Sequence, residues 1–307
     1  MITPLRPMST GEILDRTFNL YRNNFLLFAG IAVLPPALAL VVNLIQATMV
    51  ATPGHPRAAG AGLTAAGGFG VMLGWLAYLV GLAVAHAATV FAVSAVHLER
   101  TTTIGESYGR VRGRYGRVVW VLAQTWLRAF WPMVLILIAA FSVAAVVGKG
   151  GGAAVGGLLG GLGFLVGGIV GLVLFLRYAL AVPACVLEDI KASAAIKRSV
   201  TLSAGSRRQI FVIYFLMGVI TYIVMFVFLI PATFLAALVA KGSPAIATLA
   251  AGLAMFFAGA LAGPIATIAL SLVYFDQRVR KEAFDLQLMM AAVDGTPLPG
   301  AQAASVG

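Results

Sequence analysis

The chain has 307 residues, of which 61% are hydrophobic and 10% are charged, and its formal net charge at pH 7 is +11. Its apolar residues fall into six runs that are too long for a globular core, which excludes a water-soluble fold. The basic residues lie within a turn or two of these runs, and no nucleic-acid-binding motif accompanies them, so the positive charge does not indicate nucleic-acid binding.

The six runs predict an all-α, polytopic membrane protein with six transmembrane helices. Each run reaches the ~20 residues that a spanning helix needs, and the runs lack the two-residue alternation of a membrane strand. We expect one membrane domain over residues 1–290 and a flexible tail over residues 291–307. In chain order the runs are 25–50, 69–98, 118–147, 155–182, 210–240 and 245–275.

Charge alternates between the two sides of the predicted bundle. All ten acidic residues and most basic residues fall before the first, third and fifth runs or after the sixth. The positive-inside rule then predicts that both termini are cytoplasmic. The abundance of Ala, Gly, Val and Arg is typical of a bacterium with a GC-rich genome, so we expect a multi-pass protein of the inner (plasma) membrane.

Short helix-start motifs precede the first two hairpins. Ser9 with Glu12, and Thr103 with Glu106, have the spacing of a capping box. An apolar stripe at helical spacing follows each box, so we expect amphipathic elbow helices over residues 10–24 and 103–117 in the inner headgroup layer. A third copy over residues 193–208 lacks the glutamate. The predicted repeats are 9–100, 101–190 and 191–285.

Acidic residues end the even-numbered runs, and each is expected where its helix leaves the bilayer. These acids are expected to pair with basic residues of the elbow helices, an interaction of modest strength where it is exposed. The predicted interfacial or structural residues are Glu12, Arg16, Glu99, Glu106, Glu188, Asp276 and Arg278.

A few ionisable or polar residues lie inside the runs, where such residues are costly and are functional candidates. Counting helix rise places Arg128 and Arg177 about 15 Å from the inner face. With His86 and Gln124 they predict a site for an anionic lipid or solute, because no acid lies within the runs. Alternatively, an arginine extends to an interface or binds carbonyls exposed by prolines, and His86 is a neutral packing residue.

The fourth run is rich in glycine, with several glycines four residues apart between Gly156 and Gly171. Such spacing lets helix backbones approach closely. It predicts contact with neighbouring helices, with a second copy of the chain or with another membrane protein.

The string LRPMSTGEILDRTFNLYRNNF (residues 5–25) and the string YFDQRVRKEAFDL (residues 274–286) resemble the ends of the glycerophosphoryl diester phosphodiesterase membrane domain family. The family is named for members that carry a fused phosphodiesterase barrel. We expect no enzymatic activity here, because the predicted spans leave no room for a barrel of ~250 residues. The metal-binding cluster of such an enzyme is also missing, so no cofactor or metal is expected.

The resemblance therefore implies a membrane part without the enzyme. We expect a scaffold, an accessory subunit or a lipid-associated component whose partners include membrane lipids. The alternative is a transporter or flippase for an anionic lipid or a small solute. A charged, water-accessible groove would favour transport, whereas a packed interior would favour a scaffold.

Overall fold

In the computed structural model, residues 7–51, 65–147, 152–239, 243–283 and 290 are described, and within them the chain forms eleven α-helices and no strand. The helices are α1 (Thr10–Asn23), α2 (Phe25–Ala32), α3 (Leu34–Ala51), α4 (Ala65–His97), α5 (Ile104–Val111), α6 (Tyr115–Val147), α7 (Gly152–Tyr178), α8 (Ala181–Leu187), α9 (Ala192–Ser203), α10 (Arg207–Val239) and α11 (Pro244–Glu282). The predicted tail, His55, Arg57, Lys149 and Lys241 lie outside the described residues.

Six of the described segments are long and apolar enough to cross a membrane, which confirms the all-α, multi-pass prediction. They are Phe25–Ala47, Gly68–His97, Tyr115–Val147, Ala154–Leu187, Arg207–Val239 and Ala245–Glu282. They form three antiparallel hairpins, and a short helix (α1, α5 or α9) precedes each hairpin. We call the end of the bundle that carries these short helices the charged end.

The short helices are shorter than their sequence patterns predicted. The second was expected to continue to residue 117, but α5 ends at Val111 because Gly113 turns the chain with a φ of +86°. The third was expected over residues 193–208, but α9 ends at Ser203, and Arg207 begins α10. For α5, the end of the predicted apolar stripe belongs to the following span; for α9, the basic residues Arg207 and Arg208 do.

Two spans are interrupted. The first divides at Val33 into α2 and α3, just before Pro35 and Pro36, which supply no N–H to the preceding turn. The fourth, predicted as one helix, divides into α7 and α8 at residues 179–180. This break corrects the predicted depth of Arg177, because that depth was counted along an unbroken helix.

The even-numbered spans end in the left-handed backbone region. Glu99, Asp189 and Ala283 have φ values of 58°, 51° and 50°. After α4, the N–H of Arg100 donates to the Ala95 carbonyl at 2.8 Å, which is the bonding of a Schellman cap. Asp276 does not occupy this position, because α11 continues for more than a turn beyond it.

The main hydrophobic core lies toward the charged end. It contains Tyr274, Phe28 and Ile13, all fully buried, and it draws side chains from α1, α2, α4 and α6 to α11. The second hairpin extends beyond this core. We call residues 130–147 of α6 with residues 152–170 of α7 the arm, and most of its large apolar side chains are exposed.

Candidate functional site

A network of charged side chains joins α8, α9 and α11 at the charged end. The Nε of Arg198 donates to both carboxylate oxygens of Glu188, at 2.8 and 3.0 Å, and its Nη2 donates to Glu282 at 2.7 Å. The hydrogen bond to Glu282 raises the pKa of Arg198. Tyr274 donates its hydroxyl to Glu188 at 2.5 Å, and Arg278 lies over the Tyr274 ring and donates to Glu282. Glu188 therefore contacts an arginine of the short helix α9.

Asp276 ties the beginning of the described chain to its last helix. Its buried carboxylate accepts from the backbone N–H of Met8 at 2.7 Å and from Arg280 Nε at 2.9 Å. Arg280 in turn donates to the Met8 carbonyl at 2.6 Å. Because these bonds join α11 to the residues before α1, both ends of the described chain lie at the charged end.

Helix α9 holds the break in the fourth span. Ser199 accepts from the Leu180 N–H at 3.1 Å and donates to the Arg177 carbonyl at 3.0 Å. Ser203 donates to the same carbonyl at 3.1 Å. The backbone groups that the break releases from helical pairing are thus bonded by two side chains. Lys281 caps the C-terminal end of α9 by donating to the carbonyls of Thr201, Leu202 and Ala204.

Tyrosines of the other two short helices also bind carbonyls of spans. Tyr108 of α5 donates to the Ile31 carbonyl at 2.6 Å, which has no helical partner because Pro35 lacks an N–H. Tyr21 of α1 donates to the Leu261 carbonyl of α11 at 2.6 Å. Burial raises the pKa of both phenols to about 12, so they remain donors at neutral pH.

The helix starts differ between the first two short helices. At α1 both bonds of the capping box form, with Ser9 N–H to Glu12 at 2.7 Å and Glu12 N–H to Ser9 at 3.3 Å. At α5 the Thr103 side chain accepts from the Glu106 N–H, but Glu106 does not return the bond and lies 3.8 Å from Arg110 instead.

Arg16 is an exposed residue on α1. Glu99, two residues after the end of α4, is also exposed.

The four residues of the predicted ligand site do not form one bonded cluster. Arg128 is exposed on α6, Arg177 is partly buried in the last turn of α7, and His86 is partly buried on α4. Gln124 lies one turn before Arg128. Within the described part of the chain, no hydrogen bond or ion pair joins these four residues to one another. The hypothesis that the two arginines share an anion remains a prediction.

The hairpin register fixes the relative height of the two arginines. The Trp126 and Phe175 rings lie 6.1 Å apart, and a Cβ built on Gly171 would meet the Ala129 carbonyl at 3.0 Å. Arg177 therefore lies level with Gln124, while Arg128 lies about 7 Å further from the charged end.

Five buried polar atoms in the described residues lack a hydrogen-bond partner. Three occur at the height of Arg177, namely its own Nε, Gln124 Oε1 and Thr125 Oγ1. The other two are the ring nitrogens of His97, which packs against Phe275 with ring centroids 5.2 Å apart. Sequence reasoning missed Thr125 and His97. A polar residue at the end of an apolar run was the available signal for His97.

In the half of the bundle away from the charged end, the described residues line two apolar grooves. One, of about 500 Å³, lies on the arm between Phe141 and Phe164. The other, of about 440 Å³, lies between α10 and α11 near Phe228 and Phe257. Among the described residues, no group of three or more His, Cys, Asp or Glu side chains could hold a metal ion.

Residues 158–287 match the family model described as the membrane domain of glycerophosphoryl diester phosphodiesterase. The match begins within α7 and includes the string 274–286, so it confirms the predicted resemblance over this part of the chain. The string 5–25 lies outside the matched residues. The description names a membrane domain and not a catalytic domain. Neither a curated protein nor a solved structure matches the chain.

Proposed function

We propose that this chain is a non-catalytic, lipid-associated scaffold or accessory component of the bacterial plasma membrane. Both termini are cytoplasmic in this proposal, and the charged end lies in the inner headgroup layer. The basic residues exposed there, such as Arg16, Arg112 and Arg208, favour contact with anionic headgroups.

One observation carries the scaffold proposal, namely the two faces of α7. Glycines 156, 163, 167 and 171 lie against α6, where a Cβ would meet Ala144, Ile136, Met133 or Ala129 at 3.0 Å or less. Glycines 157, 161 and 168, which lie on an adjacent face of the helix, have nothing within 4 Å of the Cβ position. A second smooth face on the arm supports close packing against another membrane helix, from a second copy or from a different protein.

The threefold repeat is part of the same proposal. Each short helix donates hydroxyls to carbonyls of a span in another predicted repeat: α1 to α11, α5 to α2 and α9 to α7. The first repeat thus binds the third, the second binds the first, and the third binds the second. This cyclic order supports a pseudo-threefold arrangement of three units, each made of an elbow helix and a hairpin.

A transporter or flippase is the second candidate, and the interrupted fourth span favours it. Broken helices at a polar site are common in transporters. Against this candidate, the two grooves are apolar and the core toward the charged end is filled by large side chains. We therefore rank the scaffold first.

Cross-linking in native membranes tests the proposal. The only cysteine, Cys185, is buried, so a C185S background allows single cysteines to be placed on the arm. A second copy predicts oxidative dimers for Gly157→Cys and Gly161→Cys. Gly163→Cys, which faces α6, serves as the matched control and should give none.

A different protein partner would give no dimer but a co-purifying chain in native mass spectrometry, lost on Gly161→Leu. Absence of both dimer and partner at native expression would refute the scaffold proposal. Labelling of a cysteine at Ser243 from outside, with protection at position 200, would test the orientation.

A further inference from the structure

The geometry points to a binding site for a phosphate group at the base of the arm, formed by Arg128 and Arg177 with Thr125 and Gln124. The phosphate belongs to an anionic membrane lipid of the inner leaflet. This inference deepens the proposed lipid association and rests on it, but it is independent of the proposed role of the arm.

Neither arginine has an acidic partner among the described residues. Several arginines of the charged end behave differently: Arg114 and Arg117 pair with Asp189, Arg198 pairs with Glu188, and Arg280 pairs with Asp276. Those ion pairs neutralise the arginines near the ends of the spans. Arg128 and Arg177, which lie within spans, are left for a charge that comes from outside the chain.

The directions of the two helices bring these side chains to one height. A helical side chain leans toward the N-terminus of its own helix. Helix α6 begins at the charged end, so Arg128 leans back toward the level of Gln124. Helix α7 begins at the opposite end, so Arg177 leans toward Arg128. These opposed inclinations narrow the axial gap of about 7 Å.

One face of α6 leads from the protein interior to the open surface at this height. Val121, Thr125 and Arg128 follow each other at steps of four and three residues, so they share a face. The first two are buried, at 0% and 4% exposure, whereas Arg128 is exposed. A headgroup can therefore reach Arg128 from the bilayer without opening the core.

The unpaired polar atoms include hydrogen-bond donors that suit a phosphate group. A phosphate oxygen can accept hydrogen bonds from Arg177 Nε and from the Thr125 hydroxyl, both of which are buried without a partner. The guanidinium of Arg128, leaning back one turn, can donate to Gln124 Oε1. An unpaired polar group in a low-dielectric site is costly, so a phosphate that satisfies these groups binds favourably.

Lipid titration of the delipidated full chain in detergent, followed by native mass spectrometry, tests the site. We expect Arg128→Gln and Arg177→Gln each to weaken phosphatidylglycerol binding on the order of tenfold, while the control Arg57→Gln, in the loop between the first two apolar runs, changes it less than about twofold. If both side chains hold one phosphate, the double variant should lose less than the product of the single effects.

Three results would overturn the inference. Single variants that bind like Arg57→Gln would show that the arginines are not ligands. An equal weakening of phosphatidylcholine binding would show that the site does not recognise the anionic charge of the lipid. Saturation by inorganic phosphate with no effect on lipid binding would assign the site to a free anion. Arg128 is exposed, so its variant tests the site even if Arg177→Gln does not fold, and none of these results affects the arm cross-links.

Discussion

Helices α4 and α6 show that apolarity and burial are not linked in this protein as they are in soluble ones. In the most apolar stretch of each, 61% of residues are buried in α4 but only 6% in α6, although α6 has the higher mean hydropathy, 2.5 against 2.1. Helix α4 is central because its interior face is made of small residues, including Ala83, Ala87, Ala88 and Ala92. In a bilayer, small side chains permit helix contact, while large apolar ones can face lipid.

The charged end and the arm differ in the same way in how they are held together. At the charged end, side chains join several helices through ion pairs and hydroxyl-to-carbonyl bonds. In the arm, α6 and α7 contact each other mainly through glycines. We therefore expect the stability of the charged end to depend on ion pairs and hydrogen bonds, and the stability of the arm to depend on the small size of its glycines.

Removing Arg198 should have the largest effect. Arg198→Ala leaves Glu188 and Glu282 partly buried without their shared cation, so we expect a loss of about 3 kcal/mol in unfolding free energy. Arg198→Lys keeps the charge but loses the forked geometry of the guanidinium. Its unfolding free energy should lie between those of the wild type and Arg198→Ala. Unfolding in detergent micelles measures this; equal stability of wild type and Arg198→Ala would mean that the network does not hold the charged end.

A pair of neighbouring glycines tests the arm. A Cβ at Gly167 would lie 2.8 Å from the Met133 Cα, whereas Gly168 has nothing within 4 Å. We expect Gly167→Leu to lower hairpin stability by about 2 kcal/mol through overpacking. Gly168→Leu should leave the stability of the single chain unchanged. If the two variants have equal stability, the contact of Gly167 with α6 is not what holds α6 and α7 together in the arm.

The sequence was sufficient for the spans but not for their interruptions. Long apolar runs predicted all six spans, because length and composition decide whether a helix can cross a bilayer. The break at residues 179–180 was missed, because the side chains that bond the freed backbone groups, Ser199 and Ser203, are distant in sequence. The end of α5 was missed because the apolar stripe continues past Gly113 into the next helix.

The predicted site was identified only in part. Arg128, Arg177, Gln124 and His86 stood out because polar residues are rare in apolar runs. Their relative heights could not be obtained from residue counting, since α7 ends at Tyr178. Asp276 was predicted to lie where its span leaves the bilayer, because its sequence resembles the ends of the other two even-numbered spans. Its burial comes from tertiary bonds to Met8 and Arg280, which the sequence did not indicate.

The serine that holds the fourth span should have an intermediate effect. Ser199→Ala leaves the buried Leu180 N–H without an acceptor, and we expect it to cost about 1.5 kcal/mol. Thr201→Ala, exposed on the same helix, is the control. Hydrogen exchange at Leu180 should increase in Ser199→Ala only; unchanged protection there would show that another group holds the break.

The smallest effect concerns the tyrosines and depends on pH. Burial raises the pKa of Tyr21 and Tyr108 from 10.0 to about 12. The unfolded chain therefore loses these protons first, so the stability they contribute is present below pH 10 and is lost as pH rises toward 12. Tyr108→Phe should cost about 1 kcal/mol at pH 7 and weaken this dependence. The exposed Tyr222→Phe should retain the full pH dependence of stability. An unaltered pH dependence in Tyr108→Phe would contradict the role given to Tyr108.

The bonds between the residues around α1 and helix α11 also set an order for biosynthesis. Helix α1 leaves the ribosome before α11, yet the acceptor for Tyr21 and the carboxylate for the Met8 N–H are both on α11. Until the third hairpin is inserted, α1 lacks these two partners. Closure of this contact therefore has to follow the synthesis of α11.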